Sequence, residues 1–348
     1  MDLTQLLTLA VESGADEVIV SAGSPCVLRK EGKFLAARPD TLSGDDARNL
    51  LYAALGPERV ERLEKDRELH FTWTTREKHA CLGEVYFERG AVAAVFRIAP
   101  SAAPLPAKLG LPSLAADAVR SAQGLVVVAS PPGHGKSTIL ASLVELVNSE
   151  REATVLAIEE RVTHPHANRK SVIHQREVGR DTSSFAEALA SAGRHQPDVL
   201  VVDPVNDAGT LRTVLAFTGH QRLAIISMEA DYVTDVLAKL LEATEGPDSE
   251  SLRRHLASSL LVVTALRLIP RKDGAGCVLA TELLRVDAQV ARLLRAGNLK
   301  ALAKRMTDPD ETGLWTMDSF ILRLHERGLV DDEAARRYLL DHDVLDTG

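Results

Sequence analysis

The spacing of apolar residues changes along the chain and divides it into regions of different period. Over residues 1–97, short helical patterns at Leu3 to Val11 and Asp45 to Leu63 are interleaved with strand-like runs at Glu17 to Ser21, Leu69 to Trp73, Leu82 to Phe87 and Ala91 to Arg97. This mixture predicts a small α+β domain. The stretch IAPSAAPLPAKLGLPS, residues 98–113, carries Pro100, Pro104, Pro106 and Pro112, breaks any continuous element and predicts an interdomain linker. Beyond it, runs at Leu125 to Ala129, Thr154 to Ile158, Val199 to Val202 and Leu223 to Ser227 alternate with helical patterns. That alternation predicts a wound α/β sheet over residues 114–285. From Val286 onward VARLL, LKALAKRM, MDSFILRLHERG and DEAARRYLLD predict a helical C-terminal region, residues 286–348.

One segment carries chemistry. In GLVVVASPPGHGKSTILASLVELVN, Gly124 to Asn148, Val126 to Ala129 supply a buried strand. Ile139, Leu140, Leu143, Val144 and Val147 then recur on one face of a helix. Between them Gly133 and Gly135 let amides at the turn and the helix N-terminus converge on phosphate oxygens. Lys136 would reach the β- and γ-phosphates, and Ser137 would place its hydroxyl on Mg²⁺. Ser130 stands where this loop usually has its first glycine, and Pro131 and Pro132, which lack N–H groups, precede the amides that do most of the cradling. His134 reads as solvent-facing, with a phosphate contact as the alternative. The nucleotide-binding set is therefore Gly133, His134, Gly135, Lys136, Ser137 and Thr138.

Composition narrows the function classes. At 348 residues the chain is long enough for two domains. A net charge of −8 gives no basic footprint for nonspecific nucleic-acid binding. Cys26, Cys81 and Cys277 are scattered and form no CxxC pair, so neither a disulfide framework nor a zinc site is readable, in keeping with a reducing cytoplasm. The N-terminus has no basic start and no apolar run approaches a membrane span, so a membrane role is expected only through partners.

A phosphate-binding loop that hydrolyses its ligand needs an acid for Mg²⁺, a group that acts on water, and positive charge. Glu159 and Glu160 follow a strand and can face the phosphates at the sheet's C-terminal edge. Asp203 closes the strand DVLVV and is the natural metal-side acid, so the candidate metal set is Ser137 and Asp203. HQREVGRDTSSFAEAL, from His174, places Arg176 and Arg180 on a loop before a helix capped by Ser183 or Ser184. These arginines could serve a nucleotide or a neighbouring subunit, or pair with Glu177 and Asp181. His164, His166 and His174 match no metal-ligand spacing and are expected at the surface.

Nearly end to end the chain resembles the type IV pilus retraction ATPases, the PilT/PilU-like group within the type II/IV secretion ATPase superfamily. The resemblance is carried by MDLTQLLTLAVESGADEVIVSAGSP, VFR at Val95 to Arg97, GLVVVASPPGHGKST, LAIEE, HQREVGRDTSSFAEAL, TGH at Thr218 to His220 and MDSFILRLHERGLV. It implies a PAS-like α+β N-terminal domain, a RecA-like P-loop ATPase domain and a helical C-terminal region. It also implies ATP and Mg²⁺ as ligands, a cytoplasmic hexamer and twitching motility as the process served. The glutamate at Glu159 acts on the attacking water in that family, with Lys136 on the phosphates.

Departures accompany the matches. Asp203 and Pro204 stand where the family has a glycine-glutamate pair. The family's TLHT box corresponds to Ile225, Ile226, Ser227 and Met228, without its histidine. An arginine pair of the N-terminal domain falls near Cys81 to Gly83, leaving Arg89 and Arg97 as stand-ins, and AIRNLI corresponds to Gln289 to Leu294. The expected function is an ATP-binding, ATP-hydrolysing motor subunit with reduced turnover, in a homo- or hetero-hexamer on an inner-membrane platform protein of a pilus or secretion machine. The alternative is a weakly hydrolytic regulatory subunit that co-assembles with an active paralogue.

Overall fold

The computed structural model describes residues 2–30, 32–74, 80–98, 103–219, 221–306 and 313–340. The chain divides into two compact units, Met1–Ala102 with Thr163–Pro165, and Ala103–Val162 with His166–Gly348. His220 of the TGH triplet and residues 99–102 of the proline-rich stretch lie outside the described residues.

The first unit opens with α1 (Leu3–Ser13), where Asp2 and Gln5 form a reciprocal capping box. There follow β1 (Glu17–Val20), β2 (Val27–Lys30), β3 (Lys33–Ala36), α2 (Gly44–Leu55) and α3 (Pro57–Asp66). The strands β4 (Glu68–Thr74), β5 (Ala80–Glu88) and β6 (Ala91–Ile98) complete it. Among the described residues these strands form one antiparallel sheet in the order β3-β2-β1-β6-β5-β4. The helical pattern from Asp45 to Leu63 is two helices, because Gly56 adopts φ +76° and Pro57 begins the next helix. The hairpin of β2 and β3 escaped the pattern because β3 is an edge strand exposed at all its positions and shows no alternation.

In the second unit a 3-10 turn at Pro106–Leu109 and α4 (Ser113–Ala118) precede β7 (Gly124–Ala129) and α5 (Lys136–Glu150). Next come β8 (Thr154–Glu159), β9 (Val172–Glu177), α6 (Phe185–His195) and β10 (Val199–Asp203). The chain continues through α7 (Ala208–Thr218), β11 (Leu223–Met228), α8 (Val233–Glu242), α9 (Ser249–Ser259), β12 (Leu260–Pro270) and β13 (Cys277–Arg285). Last are α10 (Ala288–Arg295), α11 (Leu299–Met306), β14 (Leu314–Trp315), α12 (Met317–Glu326) and α13 (Asp332–Tyr338).

The sheet order is β14-β13-β12-β7-β11-β10-β8-β9, parallel from β12 through β9 and antiparallel at β13 and β14. The α/β class read from the sequence is the one observed. Alternate residues of β7 enter opposite cores: Val126 and Val128 pack with Ile139, Leu140 and Leu143 of α5, while Leu125, Val127 and Ala129 pack on the α6–α9 side. A strand covered on both faces needs apolar residues at every position, which is why GLVVVA reads as an unbroken run. Among the described residues the C-terminal region is built of helices apart from β14, where Leu314 and Trp315 pair with β13. Met317, Ile321 and Leu324 of α12 pack with Ile269 and Ala280 of β12 and β13. Among the described residues no helix is long and apolar enough to cross a membrane.

Candidate functional site

The phosphate-binding turn runs from the end of β7 to the start of α5. Gly133 and Gly135 take φ of +80° and +83°, conformations that residues with side chains rarely adopt. Gly135 is the N-cap of α5, so the unpaired amides of the first turn, from Lys136 through Thr138, face out of the helix end. Nothing lies within 4 Å of where a Cβ would stand on Gly133, so the loop is open on that side. The loop therefore has the conformation and the donors that a phosphate chain requires.

His134 is less free than expected: it is half-buried, and its Nδ1 accepts the backbone N–H of Leu268 on β12 at 3.0 Å. Burial, and then the Arg267 guanidinium, hold its pKa below the ordinary histidine value. The neutral ring is a strut between the loop and the neighbouring strand.

Asp203 ends β10 beside the loop. Its Oδ2 accepts the Ser137 hydroxyl at 2.9 Å, and its Oδ1 accepts the hydroxyl of Ser227. Asp203 thus stands beside Ser137 although Pro204 follows it, and the two present a pair of hard oxygen donors of the kind Mg²⁺ takes. Ser227, at the position aligned with the family's missing histidine, is spent on holding that carboxylate. Lys136 is half-enclosed, with its Nζ 3.8 Å from Oε1 of Glu229, just past the end of β11.

Glu159 is the last residue of β8, in register with Asp203 on one side and Glu177 on the other. Its carboxylate is buried, and Oε1 accepts the Gln175 Nε2–H at 2.8 Å. Burial pushes its pKa up to about 7; Gln175 opposes that, while the Asp203 and Glu177 carboxylates add to it. A carboxylate with that value is matched to accepting a proton near neutral pH. Glu160, by contrast, is exposed, and its backbone N–H donates to the Asp203 carbonyl.

The arginines and histidines require further corrections. Arg176 lies in β9 rather than on a loop, and its guanidinium donates to Ser191 Oγ at 2.8 Å and to the Asp181 carbonyl at 3.0 Å. Its contact with residue 181 is therefore to the backbone, and it braces β9 against α6. Arg180 is exposed, with its Nε 3.8 Å from Asp181. His174 is exposed, but His166 is not a surface residue: its side chain is 3% exposed, with Nδ1 3.2 Å from Glu145 Oε2.

The structure brings Lys136, Ser137, Asp203 and Glu159 to one edge of the sheet. Three participants went unassigned in the sequence: Gln175, Ser227 and Glu229. Gln175 sits inside the QREV string, but its role depends on the pairing of β9 with β8, which no local pattern reveals. Glu229 directly follows a buried strand, the same signal that singled out Glu159 and Asp203.

Comparison with known proteins agrees with this geometry. The chain is 28% identical over 338 residues to the type IV pilus retraction ATPase PilT of Pseudomonas aeruginosa, covering 97% of each chain. It is 28% identical over 337 residues to a twitching motility protein of Neisseria gonorrhoeae, covering 96% of this chain and 89% of that one. A crystal structure of the pilus retraction motor PilT with bound ADP superposes with a TM-score of 0.89 at 28% identity, covering all of both chains. The type II/IV secretion system protein family matches residues 110–303, which include the phosphate-binding loop, Glu159 and Asp203. The chain belongs to the type II/IV secretion system protein family.

Proposed function

We propose that this chain binds and hydrolyses ATP as a subunit of a ring-shaped motor of the pilus retraction kind, cytoplasmic and attached to the inner membrane through a platform protein. One observation carries the reading: an open P-loop whose serine is hydrogen-bonded to a strand-end aspartate, in register with a buried glutamate titrating near 7. The amides of residues 133–138 and Lys136 would hold the phosphates, and Ser137 with Asp203 would hold Mg²⁺. When bound there, Mg²⁺ neutralises charge on the phosphate oxygens. Glu159 orients the attacking water and takes its proton on the carboxylate. Gly133, His134 and Gly135 shape the loop, with His134 acting from behind it.

A second reading, a weakly hydrolytic subunit completed by an active paralogue in a mixed ring, is favoured by Arg176, whose guanidinium is engaged within its own chain. Steady-state Mg²⁺-dependent ATP turnover, with Lys136→Ala as the control, tests both. Turnover lost in Lys136→Ala supports the motor. Nucleotide binding without turnover, relieved when an active family member joins the ring, supports the second reading. Absence of nucleotide binding by the unaltered protein overturns both.

A further inference from the structure

Glu159 is held by a chain of partly and fully buried polar contacts that reaches back to the helix of the P-loop. Gln175 Nε2 donates to Glu159 Oε1 at 2.8 Å, and Gln175 Oε1 accepts the backbone N–H of His166 at 2.8 Å. A backbone N–H can only donate, so the amide oxygen must lie on the His166 side and the NH₂ must face the carboxylate. The flip of Gln175 is fixed by its partners.

His166 is in turn stapled to α5. Its Nδ1 lies 3.2 Å from Oε2 of Glu145, and the two side chains are 3% and 4% exposed. Burial holds the imidazole below its ordinary value even against the Glu145 carboxylate, so the contact is an N–H donated by a neutral ring. Arg169 Nε lies 3.0 Å from Glu145 Oε1. Asn148, one turn along α5, donates to the Ala167 carbonyl at 2.8 Å and accepts the Arg169 N–H at 3.0 Å. Segment 166–169 therefore covers the polar side of a helix that is buried from Ile139 to Asn148.

Resting on the reading of Glu159 as the water-orienting carboxylate, we propose that Gln175 is its positioning residue, anchored through His166 and Glu145 to the P-loop helix. The bridge joins two parts of one site that leave the sheet on different strands. α5 places the phosphates, β8 places the carboxylate, and Glu145–His166–Gln175 sets the distance between them. Apolar residues would cover α5 with less desolvation. A polar bridge instead gives fixed directions, which a carboxylate aimed at a water molecule requires.

The test uses the full chain, with kcat and KM for Mg·ATP measured beside the affinity for a fluorescent ATP analogue. Gln175→Met removes both hydrogen bonds at similar volume; kcat should fall on the order of 10- to 100-fold while nucleotide affinity stays within about twofold. Gln175→Glu keeps the acceptor for His166 but sets a second carboxylate against Glu159, and should lose kcat in the same way. It carries the test if the methionine variant does not fold. His166→Ala retains the backbone N–H and should lose less. If both Gln175 variants turn over within about twofold of the unaltered protein while Glu159→Gln is inactive, or if affinity falls in step with kcat, the positioning role is overturned. Glu159→Gln turning over at the unaltered rate overturns the reading of Glu159, and the inference with it.

Discussion

Glu159 and Glu282 are both buried in the second unit, and burial pushes each up to about 7, yet their surroundings differ. Glu282 lies in β13 and its Oε2 accepts the Val233 N–H at 2.8 Å, the first amide of α8. It is a helix cap supplied by a distant strand. Glu159 accepts from a side-chain amide instead, stands in register with two other carboxylates, and shares a sheet edge with the open P-loop. A perturbed titration alone therefore does not mark a reactive group. The surroundings do: each carboxylate accepts on one oxygen, but Glu282 caps a helix, whereas Glu159 stands at the sheet edge beside the P-loop and Asp203.

The largest expected effect separates the pair directly. Glu159→Gln should lower ATP turnover by about 10² to 10⁴, the range for loss of a positioned base, with nucleotide binding retained. Glu282→Gln keeps an acceptor for Val233 and should leave turnover within about threefold. Phosphate release at saturating ATP measures both. Equal losses would break the comparison and place Glu282 in the reaction.

A pH series sharpens it. Turnover should rise as pH passes through about 7, because Glu159 must be ionised to take a proton, and Glu282→Gln should not move that midpoint. Stability runs the other way. Both carboxyls titrate above the ordinary glutamate value of 4.5, so the folded chain holds more protons than the unfolded one between there and about 7. Their contribution is complete below about pH 4.5 and is lost as pH rises through 7, up to roughly 3 kcal/mol for each group. Melting temperatures from about pH 5 to 8 should therefore shift in favour of Glu282→Gln as pH rises. In Glu282→Ala, the orphaned Val233 amide should cost about 1–3 kcal/mol throughout.

The comparison also shows what the sequence could convey. Glu159 and Asp203 were legible because each ends an apolar run, and β7 and α5 because two buried faces demand unbroken apolar residues. The strands β12 and β13 were not, since a run such as LLVVTALRLIP fits a buried helix as well as a buried strand. VIHQRE was read in part as loop because β9 is an edge strand with polar residues along it. Glu282, Gln175 and His166 act on partners 49, 16 and 21 positions away, and pairing at that range is written in the topology, not in local spacing.

The smallest effect concerns a third carboxylate, which tests where the comparison ends. Glu229 is half-exposed, and its oxygen 3.8 Å from Lys136 Nζ competes with an incoming phosphate for that charge. Solvent screens the pair, so its removal should change stability by less than about 1 kcal/mol. Glu229→Gln should tighten nucleotide binding by about two- to fivefold, as expected from a screened unit charge at this distance, with kcat unchanged. Titration with a fluorescent ATP analogue measures it. Weaker binding instead would place Glu229 with Glu159, among the groups that act on the bound ligand.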